Sequence, residues 1–275
     1  MSKRVAVVSA LVEGNSLRST CRMTGVAMNT VLKLLAELGG ACAQFHNEHV
    51  RNIPARRIEV DEIWQFVGAK QKNVTAEQMT HGWGDCWVWT GIDPQTKLIA
   101  SWFVGSRDAL SAEWFMGDLW DRLANRVQLT SDGHHVYLIA VEKTFGNAVD
   151  YAMLAKHYGQ PREGAARYSP ARLLSTSKEV IRGTPDPMHI STSIVERNNL
   201  TMRMGMRRFT RLTNGFSKKV ENHAHAVAIH FVHYNFARIH KTLRVTPAME
   251  AGYADHVWSL EEVIGLLDRR SAVAA

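Results

Sequence analysis

The sequence predicts an α/β protein, a mixed sheet flanked by helices, with a small all-α unit ahead of it. Three observations predict this. From Ile58 to Val67 apolar and polar side chains alternate, with β-branched and aromatic residues on the apolar beats, the period of a strand with one face in a core. Two further runs of that composition, Cys86–Ile92 and Leu98–Val104, are separated only by the Pro-containing turn Asp93–Lys97 and read as a hairpin. From Asp108 onward, strand-like and helix-like stretches alternate, which packs most simply as a sheet with helices on its faces.

Taken in order, residues 5–38 read as three short helices. Val5, Val8, Leu11 and Val12 form a stripe at helical spacing; Asn15–Ser16 offers an N-cap for Leu17–Met23; Thr24–Gly25 makes a tight turn. Asn29–Thr30 opens Val31–Leu38, and Gly39–Gly40 is expected to stop it. Helix, Gly-containing turn, helix is the outline of a helix-turn-helix, which would aim Met28, Asn29, Thr30 and Lys33 at a DNA groove. Residues 1–40 are therefore assigned to that unit and 41–55, ending near Pro54, to a linker.

In the strand 58–67, Ile58, Val60 and Glu62 point one way, while Glu59, Asp61 and Ile63 point the other. Lys70–Trp83 reads as a loop. Asp108 caps a helix over Ala112–Leu123, with Trp114, Phe115, Leu119 and Leu123 on one face. Val127–Thr130 is a short strand ending at Ser131–Asp132–Gly133. His135–His157 reads as partly helical, Gly159–Pro170 as irregular, Leu173–Ile181 as a strand and Ser191–Arg208 as a helix. This succession is that of a ribonuclease H-like fold.

The chain has 275 residues, 45% of them hydrophobic, and 33 Lys and Arg against 26 Asp and Glu, a balance that favours a polyanionic partner. Three cysteines, Cys21, Cys42 and Cys86, are odd in number and form no CxxC pair. Neither a disulfide framework nor a cysteine zinc site is indicated, which suits a reducing cytoplasm. The first residues read as a helix rather than a signal peptide, and no stretch approaches a transmembrane span.

The candidate chemistry lies in carboxylates. Two adjacent acids in a strand, Asp61 and Glu62, are unusual because buried carboxylates are costly unless paired or metal-bound. Asp61 is the candidate ligand, with Glu62 its rival, since a one-residue register change swaps their faces. Asp132 sits at a strand's C-terminal edge, where open α/β sheets build their sites, and Glu196 opens a helix. If the three converge, their repulsion calls for a shared proton or for cations, and hard oxygen ligands suit Mg²⁺ or Mn²⁺. Asp93 reads as a turn residue, Asp118 and Asp121 as a solvated helix face. His223 and His230 share a helical face but lack metal-ligand spacing and read as packed histidines. Most tryptophans read as core, although Trp64 beside the acids could stack on a base.

Val60–Asp61–Glu62–Ile63–Trp64, followed by Gly91–Ile92–Asp93, resembles the opening of the catalytic domain in the insertion-sequence-one family of bacterial DDE transposases. Val195–Glu196–Arg197–Asn198–Asn199–Leu200, with Arg203, Arg207–Arg208 and Arg211 to Lys218, is similar to the block carrying that family's third acid. Tyr234 to Leu243, closing with Thr246–Pro247–Ala248, is similar to the segment after the core in integrase-like transposases. The resemblance implies a ribonuclease H-like catalytic domain over 56–215, a helical extension over 216–275, and Asp61, Asp132 and Glu196 as catalytic ligands of two Mg²⁺ or Mn²⁺ ions. It implies cleavage at transposon ends and strand transfer, by a homo-oligomer on double-stranded DNA carrying terminal inverted repeats and on target DNA, in a nucleoid-associated, cytoplasmic setting. A non-catalytic DNA-binding regulator is the alternative. Relatives commonly carry a cysteine zinc motif ahead of the helix-turn-helix; none stands here. From Arg197 to Arg244 the basic residues Arg197, Arg203, Arg207, Arg208, Arg211, Lys218, Lys219, Arg238, Lys241 and Arg244 face a single acid, Glu221. The first seven, with Asn29, Thr30 and Lys33, are the candidate DNA contacts.

Overall fold

The alternation at 58–67 is a strand, β1 (Arg57–Val67), and the sheet grows outward from it on both sides. The computed structural model describes residues 2–159, 171–210 and 213–273, the side chains of 269–273 excepted. Antiparallel to β1 runs β2 (Gly84–Ile92), which turns through Asp93–Leu98 into β3 (Ile99–Gly105). The Asp93 carboxylate ties that turn by accepting from the Gln95 amide (2.8 Å) and the Thr96 hydroxyl (2.8 Å), as a turn residue should. On the other side β4 (Val127–Asp132) and β5 (Val149–Tyr158) run parallel to β1, and β6 (Leu173–Arg182) closes the edge antiparallel. The order β3-β2-β1-β4-β5-β6 is a six-stranded mixed sheet, consistent with a ribonuclease H-like arrangement.

Helices cover both faces. On one, α5 (Ala109–Arg122) and α6 (Val136–Phe145) pack Phe115, Leu119, Tyr137 and Val141 against Ile58, Val60 and Leu129. On the other, α7 (Ser193–Gly205) and α8 (Val220–Val232) pack Val195, Met202 and Phe231 against Ile63 and Val88. The alternation of β1 thus assigns Glu59, Asp61 and Ile63 to the α7 face and Val60 and Glu62 to the α6 face, as its sequence pattern predicts.

Three helices precede the sheet: α1 (Lys3–Val12), α2 (Leu17–Thr24) and α3 (Met28–His49). Ser16 caps α2 and Gly25 ends it in the left-handed conformation, as read. The expected stop at Gly39–Gly40 is not there. α3 continues to His49, so the first nine residues of the expected linker are helical, and its N-cap is Ala27 rather than Asn29 or Thr30. The reason is a helix crossing: a Cβ on Gly39 would lie 2.4 Å from the Cβ of His225 on α8, so the glycine serves close approach of two helices. Val31, Leu38 and Phe45 join the same apolar core as the sheet.

Further readings differ from the structure in part. The stretch 135–157 is helical in part, as expected, over α6, but it also holds the unread strand β5, because Val149–Leu154 is a buried apolar run whose type periodicity cannot decide. The expected loop 70–83 contains the short helix α4 (Ala76–Thr80), closed by a Thr75–Gln78 capping box. The helix after Ser191 ends at Gly205, followed by a 3-10 turn, Arg207–Phe209. Asp118 is no solvated residue: it accepts from Ser101 (2.5 Å) and pairs with the buried Arg122, which also donates to the carbonyls of His46 and Val50. Trp114 leaves the expected face and stands exposed. The irregular stretch expected over 159–170 lies, from 160, outside the described residues. The chain then passes through α9 (Pro247–Glu250) and ends in α10 (Leu260–Val273).

Candidate active site

Register places the first two acids. Glu59 of β1 pairs with Thr130 of β4, the last pair of that parallel ladder, and Asp61 and Asp132 each lie two residues beyond it on adjacent strands. Ile58 and Leu129 point together to the α6 side, so Asp61 and Asp132 share the α7 side. Asp132 Oδ1 accepts from the His134 amide (3.0 Å), which turns the chain off the strand.

The third acid is brought in by α7. Thr192, the N-cap, makes no capping bond, and Glu59 across on β1 takes that role: its Oε2 accepts from the amides of Ile194 (2.7 Å) and Val195 (3.0 Å). The strand that carries Asp61 therefore anchors the helix that carries Glu196. Asn199 follows Glu196 by three residues, on the same helical face, and its Nδ2 donates to Asp61 Oδ2 (2.8 Å). Glu196 itself receives the Thr192 hydroxyl (2.6 Å) and the Lys156 ammonium of β5.

The electrostatics join these groups into one field. Burial, and then the charges of Glu62, Asp132 and Glu196, push the Asp61 carboxyl up to about 8. Glu62, on the opposite face, is also raised by burial, but Arg107 Nε (2.7 Å) and the Tyr137 hydroxyl (2.7 Å) satisfy both its oxygens. Arg107 lies over the Trp87 ring at 4.7 Å and reaches 4.0 Å from Asp132 Oδ2. Arg107 is thus held between Glu62 and Asp132.

A divalent ion is what the resemblance implies here, and the donors fit its chemistry. All are oxygens, the charge is negative, and buried acceptors beside Asp61 lack partners: the hydroxyl of Thr90, its cross-strand neighbour, and the side-chain oxygen of Asn199. A hydrated ion presents water protons to such groups. Among the described residues, however, no three His, Cys, Asp or Glu side chains stand close enough together to hold an ion. Glu196 is turned to Lys156 and Glu62 to Arg107.

The residues read as DNA contacts lie at the start of α3, on α7 and between Arg207 and Lys219, and Met28 and Leu32 of α3 line the same cleft as Arg207, Arg208, Lys218 and Lys219. Asn29, Thr30 and Lys33 are exposed at the start of α3, Lys33 within 3.8 Å of Glu37. Arg197, Arg207, Lys218 and Lys219 are exposed; Arg203 and Arg208 are partly covered, and Arg211 lies outside the described residues. Arg208 donates to Ser217 Oγ (2.8 Å), and burial draws its guanidinium down to about 10. Together with Arg18, the residues Arg207, Arg208, Lys218 and Lys219 rim a cleft of about 850 Å³ whose floor includes Leu17, Leu32 and Ile229. The Lys218 ammonium sits 3.6 Å from the Phe216 ring centre. Trp64 lies half-buried, with Lys70 5.9 Å above its ring.

His223 and His230 share one face of α8. His223 and His230 are buried on α8 and burial lowers each to about 3. Sequence reasoning overlooked Glu59, Asn199, Arg107 and Lys156. Two carried a signal: Glu59 lies two residues before Asp61 on one strand face, and Asn199 lies three after Glu196 on one helix face. The other two meet their partners only through the fold.

No protein-family model matches the chain, and no curated protein matches it. Among solved structures, a cryo-EM structure of a piggyBac transposase synaptic complex with hairpin DNA aligns over 98% of this chain and 72% of its own, at 10% identity. Its TM-score is 0.38.

Proposed function

We propose that this chain is a DNA transposase of the DDE type, cutting at the ends of a mobile element and joining them to target DNA. The observation that carries the proposal is Asp61: a half-buried carboxyl on the central strand, raised by desolvation, then by the charge of its neighbour Glu62, and then by Asp132 from a second strand and Glu196 from a separate helix. Separate elements converging on one acidic field is what phosphodiester chemistry on divalent ions requires.

Asp61, Asp132 and Glu196 would hold Mg²⁺ or Mn²⁺, which when bound supplies an activated water or 3′-hydroxyl and neutralises the leaving oxygen. The chain's own residues set the geometry. Asn199 fixes the Asp61 carboxylate, Glu59 fixes α7, and Arg107, tethered by Glu62 and stacked on Trp87, offers a guanidinium edge to a DNA phosphate beside Asp132. The basic rim of Arg18, Arg207, Lys218 and Lys219, together with Arg197, supplies salt-dependent contact to the DNA backbone. Residues 1–40 are proposed to take part in recognising the element's ends, and the protein to act as a homo-oligomer.

The test is strand cleavage on a duplex carrying the element's terminus, with Mg²⁺. Asp61→Asn and Glu196→Gln should each lose at least a thousandfold in rate while still binding the duplex; full activity in either rejects the assignment. The Lys156–Glu196 pair favours one second reading, a regulator that keeps the fold and binds DNA without cutting. Parent protein that binds DNA but neither cleaves nor takes up Mn²⁺ in calorimetry selects it.

A further inference from the structure

We propose that Lys156 is an internal counter-ion that holds Glu196 out of the ligand set, so that a divalent ion must displace its ammonium before the third carboxylate can join. The inference rests on the metal reading of this site and explains why the acids share a field without closing on a point.

Lys156 is placed for this by the sheet. Asp132 pairs with Leu154 of β5, and Leu154 packs with Ala152 and Ile190 on the α7 side; Lys156 is the next residue of β5 on that face. Its side chain is only 22% exposed and pairs with Glu196 at the oxygen that also receives the Thr192 hydroxyl. One Glu196 oxygen is thus taken twice. Asp61, by contrast, receives a single side-chain donor, from Asn199, and Asp132 receives a backbone amide and a guanidinium at 4.0 Å. The one acid of the three with a close cation is the one turned aside.

The chemistry favours exchange. A lysine ammonium is a point charge on a flexible stem, so it can leave a carboxylate without dismantling a rigid bidentate fork. An ammonium and a hard divalent ion compete for the same oxygens, so removing the ammonium must strengthen the ion's binding. Glu113–Lys143, between α5 and α6, is an ion pair remote from these acids and serves as a control.

The experiment is Mn²⁺ binding to the full chain by calorimetry at fixed pH, with thermal midpoints recorded with and without the ion. Lys156→Met is expected to bind about two- to fivefold tighter than parent, the worth of one partly covered ion pair, and to gain more in midpoint on ion addition. Lys156→Arg keeps a cation in place, harder to displace, and should bind no tighter than parent, whereas Lys143→Met should match parent. Equal affinity in parent and Lys156→Met, or a lower midpoint without tighter binding, overturns the proposal and leaves the metal site standing, Lys156 then being a structural bridge. No binding by parent or Lys156→Met removes the metal reading and this inference together.

Discussion

Asp61 and Glu62 are neighbours in the chain and opposites in the fold. Both are acids on the central strand, and burial raises both. Glu62 turns to the α6 face, where a guanidinium and a phenol occupy its two oxygens. Asp61 turns to the α7 face, where it meets one amide and two further acids. The difference separates a carboxylate that holds a structure from one held ready for something else. A structural acid is satisfied by the protein itself; an acid left under repulsion is a cost that persists where function uses it.

That contrast can be broken by substitution. Glu62→Ala should destabilise the protein by about 3 kcal/mol in denaturant unfolding, because it leaves the buried Tyr137 hydroxyl without its acceptor and breaks the Arg107 pair. Asp61→Asn should leave stability unchanged or raise it above pH 7, since it removes the repelled charge and keeps the bond from Asn199. An Asp61→Asn protein destabilised as much as Glu62→Ala would erase the distinction. Glu59 sharpens it. It shares the Asp61 face yet caps α7, so Glu59→Ala should cost about 2 kcal/mol and also weaken Mn²⁺ binding by loosening Glu196. Loss of stability with unchanged binding would make it a cap alone.

The smallest effect is in the pH dependence of the ion-free protein. The folded Asp61 carboxyl titrates at about 8 and an unfolded one near 4, so the folded state holds that proton more tightly between them. Its contribution is full below about pH 4 and is lost as pH rises toward 8, at most about 1.4 kcal/mol per pH unit. His46, His223 and His230, drawn down to about 3 by burial, act with the opposite sign: their contribution is full above about pH 6.5 and lost as pH falls. The Asp61 slope should therefore be read between pH 6.5 and 8, with divalent ions chelated, and should vanish in Asp61→Asn.

Much of the site could be read along the chain. The period of two in β1 assigned Asp61 and Glu62 to different faces, and Gly133 after a short apolar run put Asp132 at a strand edge. β5 was missed because a strand buried on both faces and a buried helix look alike over six residues. Gly39–Gly40 misled because glycine ends helices and also lets two of them touch, and only the presence of α8 distinguishes the uses.

By itself the sequence determined the alternation of β1, the hairpin, the placing of Asp61 on a strand, Asp132 at a strand's end and Glu196 on a helix, and the basic bias of the chain, since each depends on residues within a few positions of one another. Only the tertiary structure decided which acid is satisfied and which is not. Arg107 meets Glu62 across 45 residues and Lys156 meets Glu196 across 40. No local pattern encodes such pairs, because a charge's partner is set by strand order and helix docking, and these follow from burying the whole core at once.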